Sequence, residues 1–432
     1  LLSTSEEHKE EVKNEINIHT FGCRLNQYES EKISFELKNM GANITELKNA
    51  DAIAINTCTV TNDSDKKLIN YLDKLENISQ KKIFLIGCYV SKKENLFDKE
   101  NITIIPNDKK EESSQIIFNA LAKNYNNEFK NPIFFPQEQS RAYLKIQDGC
   151  EVFCSYCIVA RVRGKHKSVE PKKIYDAIKI AYEYGYKEIV LTGLNLGSYN
   201  YNNEIKFIQI VKNILEISSK FGIRIRLSSI EPIYFNDELI SLFKNSEVLC
   251  PHAHIPLQSG SDKILKLMNR RYTSGYYLNI VEKLYKTNSN IGISADIMVG
   301  FPNEDSNDFK DTYNLCEKSK FIKMHIFRYS NRENTPSSKM SNQIGYRTKL
   351  KRAKLLNELN NKMKDNFYKN AINRELKVIA EKKLENNYYI GTSGEYLKVK
   401  FKSEKIIEKK DIIKVKAIKY EDNIIIGEAK NG

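Results

Sequence analysis

Six of the eight cysteines in this 432-residue chain fall into two triplets, and their spacing restricts the fold more than any other feature. Cys150-Glu-Val-Phe-Cys154-Ser-Tyr-Cys157 crowds three thiols into one short loop. Cys23, Cys58 and Cys88 instead lie some thirty residues apart, each just past an apolar run that reads as a strand. A CxxxCxxC loop clamps three irons of a [4Fe-4S] cube and leaves the fourth iron open. An open iron can chelate the amino and carboxylate groups of S-adenosylmethionine, pass it an electron and break a carbon–sulfur bond to give a radical. The upstream triplet suggests a second cluster, again with three protein ligands. Two such clusters in one basic chain point to radical chemistry that also moves sulfur.

The length allows two or three domains, each with its own core. No run of eighteen apolar residues is present, so no transmembrane helix is expected, and Leu1 to Glu15 is too charged for a signal peptide. Cysteines in ligand-like triplets read as reduced metal ligands, not as a disulfide framework, which implies a cytoplasmic protein without a membrane partner. A formal charge of +14 and a pI near 9.1 suggest a polyanionic partner. Richness in Lys, Asn and Ile can also reflect nucleotide bias in the genome. The charge is concentrated in one place: from Lys339 to Asn370 nine Lys/Arg stand against Glu358 and Asp365. A solvated helix face is the default reading of such a run, and Lys349, Lys351, Arg352 and Lys354 are the candidate phosphate contacts if it is functional.

From Ile16 to about Lys123 strands and helices alternate. Ile16 to Gly22, Asp51 to Thr57 and Lys82 to Gly87 read as strands, with helices over 27–40 and 63–79. This order predicts a doubly wound parallel sheet whose strand carboxyl ends share one edge, where ligands bind. Cys23, Cys58 and Cys88 each follow one of those strands, so the fold would gather them; three unrelated buried cysteines are the plainer reading. Asn124 to Gln139 reads as a linker. Six further strand–helix units, with strands near 143, 188, 223, 253, 293 and 324, suit a central partial (βα)6 barrel, and the loop at 150–157 caps its first strand. From Ala371 on, about five short strands fit a small antiparallel β-barrel of the oligonucleotide-binding type. The expected domains are 16–123, 138–370 and 371–432. The chemistry is expected in the first two, so that the third could be removed without losing it.

The CxxxCxxC loop has a zinc site as its rival, with His166 as a fourth ligand. Its spacing is not that of an ordinary zinc knuckle, and it caps a barrel strand, where catalytic groups belong. Tyr156 would cover an adenine ring or the cluster. Later strand ends carry Gly193, Asn195, Ser229, Glu231 and Gln258, candidates for binding the nucleoside of the cofactor, though each loop taken alone is an ordinary turn. His252 and His254 read as structural, and Cys250 and Cys316 as core.

With these residues in view the chain resembles the radical S-adenosylmethionine methylthiotransferases over nearly its whole length. Thr20-Phe-Gly-Cys-Arg-Leu-Asn-Gln-Tyr-Glu-Ser30 is similar to the family's first cluster motif, and Cys58 and Cys88 fit its second and third. Asp148-Gly-Cys-Glu-Val-Phe-Cys-Ser-Tyr-Cys157 with Arg163-Gly164 resembles its radical motif, and the last sixty residues resemble its RNA-binding TRAM domain. Arg161 and Val162 depart from the Pro-containing or small-residue run usual before Arg-Gly. The wording around Cys23 and Cys150 is most similar to the branch acting on N6-threonylcarbamoyladenosine at position 37 of tRNA. Sister branches act on isopentenyladenosine or on a ribosomal-protein aspartate.

The resemblance implies two [4Fe-4S] clusters and S-adenosylmethionine as cofactors. One S-adenosylmethionine methylates a sulfur held at Cys23/Cys58/Cys88. A second is cleaved at Cys150/Cys154/Cys157, its 5′-deoxyadenosyl radical takes hydrogen from adenine C2, and the methylthio group joins that carbon. The implied partners are the anticodon stem-loop of tRNA and a flavodoxin- or ferredoxin-like electron donor, with the enzyme a monomer. A rival of another class is a non-catalytic Fe–S protein that binds RNA or carries electrons; only the enzyme would release 5′-deoxyadenosine.

Overall fold

The computed structural model describes residues 14–22, 24–59, 62–76, 81–92, 100–121, 134, 136 and 138–430. Two compact units divide the chain, one up to Pro132 and one from Ile133 onward. Most of the expected linker at 124–139 lies outside the described residues, as does Cys23.

In the first unit, strands Glu15–Thr20 (β1), Asn43–Ile44 (β2), Ala52–Thr57 (β3), Lys82–Gly87 (β4) and Ile102–Ile105 (β5) form a parallel sheet in the order β2-β1-β3-β4-β5. The helices are Arg24–Asn39 (α1), Asn62–Glu76 (α2) and Ser113–Leu121 (α3). Ala52 to Ile55 of β3 and Ile83 to Ile86 of β4 are unbroken apolar runs because both sheet faces are covered. Ile33, Leu37 and Phe84 pack on one face, and Ile53, Leu68 and Leu72 on the other. The doubly wound sheet is thus as expected, with β2 and β5 added, both too short to read from their sequence. The chain direction across the sheet reverses between β1 and β3, which opens a crevice at their carboxyl ends.

In the second unit six parallel strands follow in chain order. They are Ala142–Lys145 (β6), Glu188–Thr192 (β9), Arg224–Leu227 (β12), His252–His254 (β13), Gly292–Val299 (β14) and Lys323–Arg328 (β15). Small ladders join Gln147–Asp148 (β7) to Lys167–Ser168 (β8) and Asn200–Tyr201 (β10) to Ile205–Lys206 (β11). Single bridges, Ile225 to Leu249 and Ser229 to His254, connect the two three-stranded halves. No ladder among the described residues joins β15 back to β6, so the barrel is partial. Its wall helices are Val159–Arg163 (α4), Pro171–Glu183 (α5), Phe207–Lys220 (α6), Asp237–Asn245 (α7), Asp262–Leu267 (α8), Ser274–Thr287 (α9), Ser306–Ser319 (α10) and Tyr346–Lys369 (α11). Their starts are set locally: Asn236 caps α7 by accepting from Leu239 N at 2.8 Å, and Asp305 and Asp308 form a capping box on α10.

Five strands close a small barrel at the end of this unit: Glu375–Lys383 (β16), Tyr388–Ser393 (β17), Lys398–Lys402 (β18), Ile412–Glu421 (β19) and Ile424–Ala429 (β20). Leu376, Val378, Val399, Phe401, Val415 and Ile425 fill it. It differs from the expected antiparallel barrel in one pair, since β18 and β20 run parallel. After β18 the chain crosses to pair with β16, and the hairpin back from β19 brings β20 in parallel to close the ring.

This small barrel is docked on the floor of the larger barrel, at the amino ends of β6, β9, β12 and β13. Glu188 opens β9 and is fully buried between Arg224 and Arg226, which donate to it from Nε at 2.6 and 2.8 Å. The same guanidiniums donate to the carbonyls of Lys377 (2.7 Å), Thr392 (3.2 Å), Ser393 (3.0 Å) and Gly394 (2.9 Å) in the small barrel. Tyr396 stacks on His252 with centroids 4.7 Å apart and lies 5.0 Å from the Arg226 guanidinium. Arg141, just before β6, donates to Glu381 at 2.9 Å. Removing the terminal barrel would strip these two guanidiniums of four carbonyl acceptors and bare this floor to water.

Candidate active site

The cysteine loop springs from the carboxyl end of β6 and is tied at its base. The β7–β8 ladder closes it, and Cys150 N donates to Gly164 O at 3.3 Å. Gly149 is required at that closure: at φ +73° a side chain is strained, and a Cβ there would sit 2.0 Å from Lys165 O. Gln147 knits the loop to the next strand, donating to Gly149 O at 2.7 Å while its Oε1 accepts Asn195 N at 2.9 Å. At the far end Ser155 is buried; its N donates to Met268 O at 3.0 Å and its Oγ to Leu267 O at 2.8 Å. Ser337 N in turn donates to Ser155 O at 2.9 Å.

Held in this way, Cys150, Cys154 and Cys157 stay half-buried and form no disulfide. Arg270 donates from Nη1 to Cys154 Sγ at 3.2 Å, and Val159 N to Cys157 Sγ at 3.4 Å. Burial, reinforced by the neighbouring Cys154 and Cys150 sulfurs, pushes the Cys157 thiol up to about 12, and burial likewise raises Cys150. Such thiols give up their protons only to a strong cation, as they would on binding iron. Among the described residues no three His, Cys, Asp or Glu side chains meet closely enough to hold one metal ion. A cube does not require that, because each cysteine takes a different iron. Donors aimed at two of the three sulfurs fit thiolate ligands. His166 does not complete a zinc site: its Nδ1 lies 3.1 Å from Gln147 Nε2 and from Ser198 Oγ, and its Nε2 2.8 Å from Ser168 Oγ.

Beside the loop lies a pocket of about 240 Å³ walled by Asn195, Glu231, Tyr234, Arg270 and Tyr272. Arg270 spans it, paired with Glu231 and donating from Nε to Tyr272 OH at 3.1 Å. Tyr272 passes the chain on by donating to Leu257 O at 2.9 Å. Asn195 Oδ1 is buried without a hydrogen-bond partner, an acceptor left for a ligand.

Of the six residues expected to bind the cofactor, the pocket brings together Asn195 and Glu231. Tyr156 is not among the pocket's lining residues; it lies edge-on to Phe301 at 6.4 Å and within charge range of Arg270. Gly193 makes room for Gln147, whose Oε1 would lie 2.8 Å from a Cβ there, so its smallness serves the scaffold. Ser229 bridges to His254, and Gln258 is buried at φ +67° with Met298 N donating to its carbonyl at 2.8 Å. Arg270, Tyr272 and Gln147 escaped the sequence reading. Arg270 lies 116 residues beyond Cys154, and nothing local marks it among so many basic residues.

In the first unit Cys58 and Cys88 are buried at the ends of β3 and β4. Gly22, next to Cys23, abuts Cys58: a Cβ on Gly22 would lie 2.9 Å from Cys58 Sγ. Thr57 Oγ1 accepts Tyr89 N at 3.1 Å and donates to Ile86 O at 2.7 Å, tying the two strand ends together. The strand-edge placement inferred from sequence thus holds for the two described cysteines.

The four basic residues proposed for phosphate split by helical period. Lys351 and Lys354 are exposed on α11. Arg352 faces inward, donating to Glu304 Oε1 at 2.9 Å and to the carbonyls of Glu304 and Asp305, both at 3.0 Å. The Lys349 ammonium donates to Tyr329 O at 3.0 Å. Arg352 is thus corrected from phosphate contact to internal tie, and Lys349 has its charge engaged beside it.

Comparison with known proteins agrees with this geometry. The profile described as Radical SAM superfamily matches residues 144–316, and that described as Uncharacterized protein family UPF0004 matches residues 15–105. A threonylcarbamoyladenosine tRNA methylthiotransferase (MtaB) of Bacillus subtilis is 33% identical over 94% of this chain and 94% of its own length. A tRNA-2-methylthio-N(6)-dimethylallyladenosine synthase of Clostridium novyi is 35% identical over 76% of each chain. Among solved structures, the radical S-adenosylmethionine methyltransferase TsrM of Kitasatospora setae shares the fold, with a TM-score of 0.54 at 10% identity over 75% of this chain and 77% of its own.

Proposed function

Because the chain belongs to the radical SAM methylthiotransferase family, we propose that it transfers a methylthio group to C2 of N6-threonylcarbamoyladenosine at position 37 of tRNA. The observation that carries this is near full-length similarity to enzymes of that name, joined to a cysteine loop whose Cys154 accepts from a buried Arg270 beside a ligand pocket. Cys150, Cys154 and Cys157 would hold a [4Fe-4S] cluster, which would supply an open iron for S-adenosylmethionine and the electron that cleaves it. Arg270 provides a fixed cation for a carboxylate, and Asn195 Oδ1 an acceptor for a hydroxyl or amine. Gln147 and Ser155 hold the loop still while ligands exchange. Cys58 and Cys88, with Cys23, would hold a second cluster, which would supply a site for the sulfur to be transferred.

The target adenine leaves its stack to reach the barrel rim, which costs on the order of a few kcal/mol and least in an unpaired loop. Among the described residues no helix is long and apolar enough to cross a membrane. We place the reaction in the cytoplasm, with a flavodoxin- or ferredoxin-like protein as reductant. Nucleoside mass spectrometry of tRNA from a strain lacking the gene tests the reading. Loss of 2-methylthio-N6-threonylcarbamoyladenosine supports it. Loss of the dimethylallyl counterpart instead would assign the chain to the sister branch, whose members are as similar in identity.

A further inference from the structure

Phe153 is 60% exposed at the tip of the cysteine loop and adopts φ +53°, a left-handed conformation that a bulky side chain avoids. Of sixteen such non-glycine positions among the described residues, ten are Asn and only Phe153 and Tyr396 are aromatic. Tyr396 is compensated within the protein by His252 and Arg226. Phe153 has no ring contact among the described residues, yet its backbone is firmly held. Asn269 Nδ2 donates to Phe153 O at 3.0 Å, and the neighbouring Ser155 is anchored to α8. The ring is therefore presented to solvent by a fixed, strained backbone.

Its surroundings indicate what it meets. Arg161, Lys165, Lys167 and Arg271 are exposed around the same loop. No other large apolar side chain from residue 138 to residue 179 is exposed, and around the loop four exposed cations outnumber the one exposed carboxylate beside the ring, Glu151. A protein partner would need an apolar patch; an isolated aromatic in a net positive surround suits single-stranded nucleic acid, whose bases stack and whose phosphates pair. Val152, its neighbour, lines the pocket beside Cys154. We propose that Phe153 is the stacking platform for an unpaired nucleobase next to the modified adenosine, an inference that rests on the tRNA reading of the site.

The test compares the full-length, iron-loaded protein with Phe153→Gly and Phe153→Tyr, using an unmodified anticodon stem-loop RNA and a duplex of the same length without a loop. Glycine relieves the left-handed strain, so Phe153→Gly keeps or raises the melting temperature and retains its iron. It weakens stem-loop binding roughly 5- to 150-fold, with the salt dependence unchanged because every cation that meets a phosphate is still in place. Duplex binding does not change, and Phe153→Tyr restores stem-loop affinity. Unchanged stem-loop affinity in Phe153→Gly overturns the proposal. So does a loss that comes with a lower melting temperature or missing iron, which would make the ring a packing residue. If the unaltered protein ignores the stem-loop, the tRNA reading itself fails and takes this inference with it, an outcome distinct from failure at Phe153 alone.

Discussion

The two ends of the catalytic barrel use the same pair of residue types, arginine and glutamate, to opposite ends. On the floor Glu188 is fully buried, and Arg224 and Arg226 direct their donors to it and to four carbonyls of the small barrel. On the rim Glu231 is partly open to a pocket, and Arg270 keeps one arm on the sulfur of Cys154. The difference teaches that pairing alone says little about role. What decides is where the remaining donors go: into backbone, where they cement, or onto a group that changes during the reaction. Stability is expected to concentrate at the floor and chemistry at the rim, the usual division in barrels of this kind.

Replacing Cys150, Cys154 and Cys157 together by Ala gives the largest expected effect. Release of 5′-deoxyadenosine should vanish, and anaerobically reconstituted protein should hold about four irons where the intact chain holds about eight. Unfolding of the second unit should shift little. Eight irons in the variant would break the rim assignment.

At the floor, Glu188→Ala takes the carboxylate from two buried guanidinium charges, leaving them only carbonyl acceptors, and should cost about 3–5 kcal/mol in urea unfolding. Loss of residues 371–432 should be worse. A shortened chain that folds and still releases 5′-deoxyadenosine would erase the contrast. Burial alone would raise the Glu188 carboxyl, but Arg224, Arg226 and Arg141 more than reverse this and hold it at about 2. Since the folded value lies below the unfolded one, its contribution is complete above about pH 4.3 and is lost as pH falls toward 2. Glu188→Gln should flatten stability over that window and leave the pH dependence near neutrality unchanged.

Arg270→Lys sharpens the rim side. Lysine keeps the charge but not the fork that reaches Cys154, Glu231 and Tyr272 together. S-adenosylmethionine cleavage should slow roughly 10–100-fold, with a shifted cluster reduction potential, while the melting temperature moves less than in Glu188→Ala. Smallest is the effect at α11. Neutralising Lys351 and Lys354 should lower the salt slope of tRNA binding by about 0.7–0.9 for each phosphate left without its cation. Arg352→Gln should leave that slope alone and reduce stability, because its charge is turned inward.

The contrast between rim and floor also separates what could be read in advance from what could not. The loop at 150–157 was legible because its three cysteines are close in sequence and their spacing singles the segment out. The strand-end cysteines were legible because strand–helix alternation fixes where successive strands finish. Arg270 and Tyr272 were not, since a long intervening chain brings them back to the loop and no local pattern sets them apart. The inward turn of Arg352 follows from helical period together with the neighbour at Glu304, and the neighbour cannot be seen in a charge run. The docking of the small barrel was hidden for a related reason. Arg224-Ile-Arg-Leu reads as an alternating strand, and only the partner carbonyls show that its charged side faces protein.

Synthesis imposes an order on these parts. The cysteine loop is seated by Leu267, Met268 and Ser337, all made after it. At ordinary elongation rates about 10 to 40 seconds pass between Cys157 and Ser337 leaving the peptidyl transferase centre. The floor is completed later still, by Tyr396 and the strands around it. Any cluster uptake by the 150–157 loop is therefore expected late in the life of the nascent chain, and a ribosome stalled near residue 330 should carry a chain whose loop takes up no cluster.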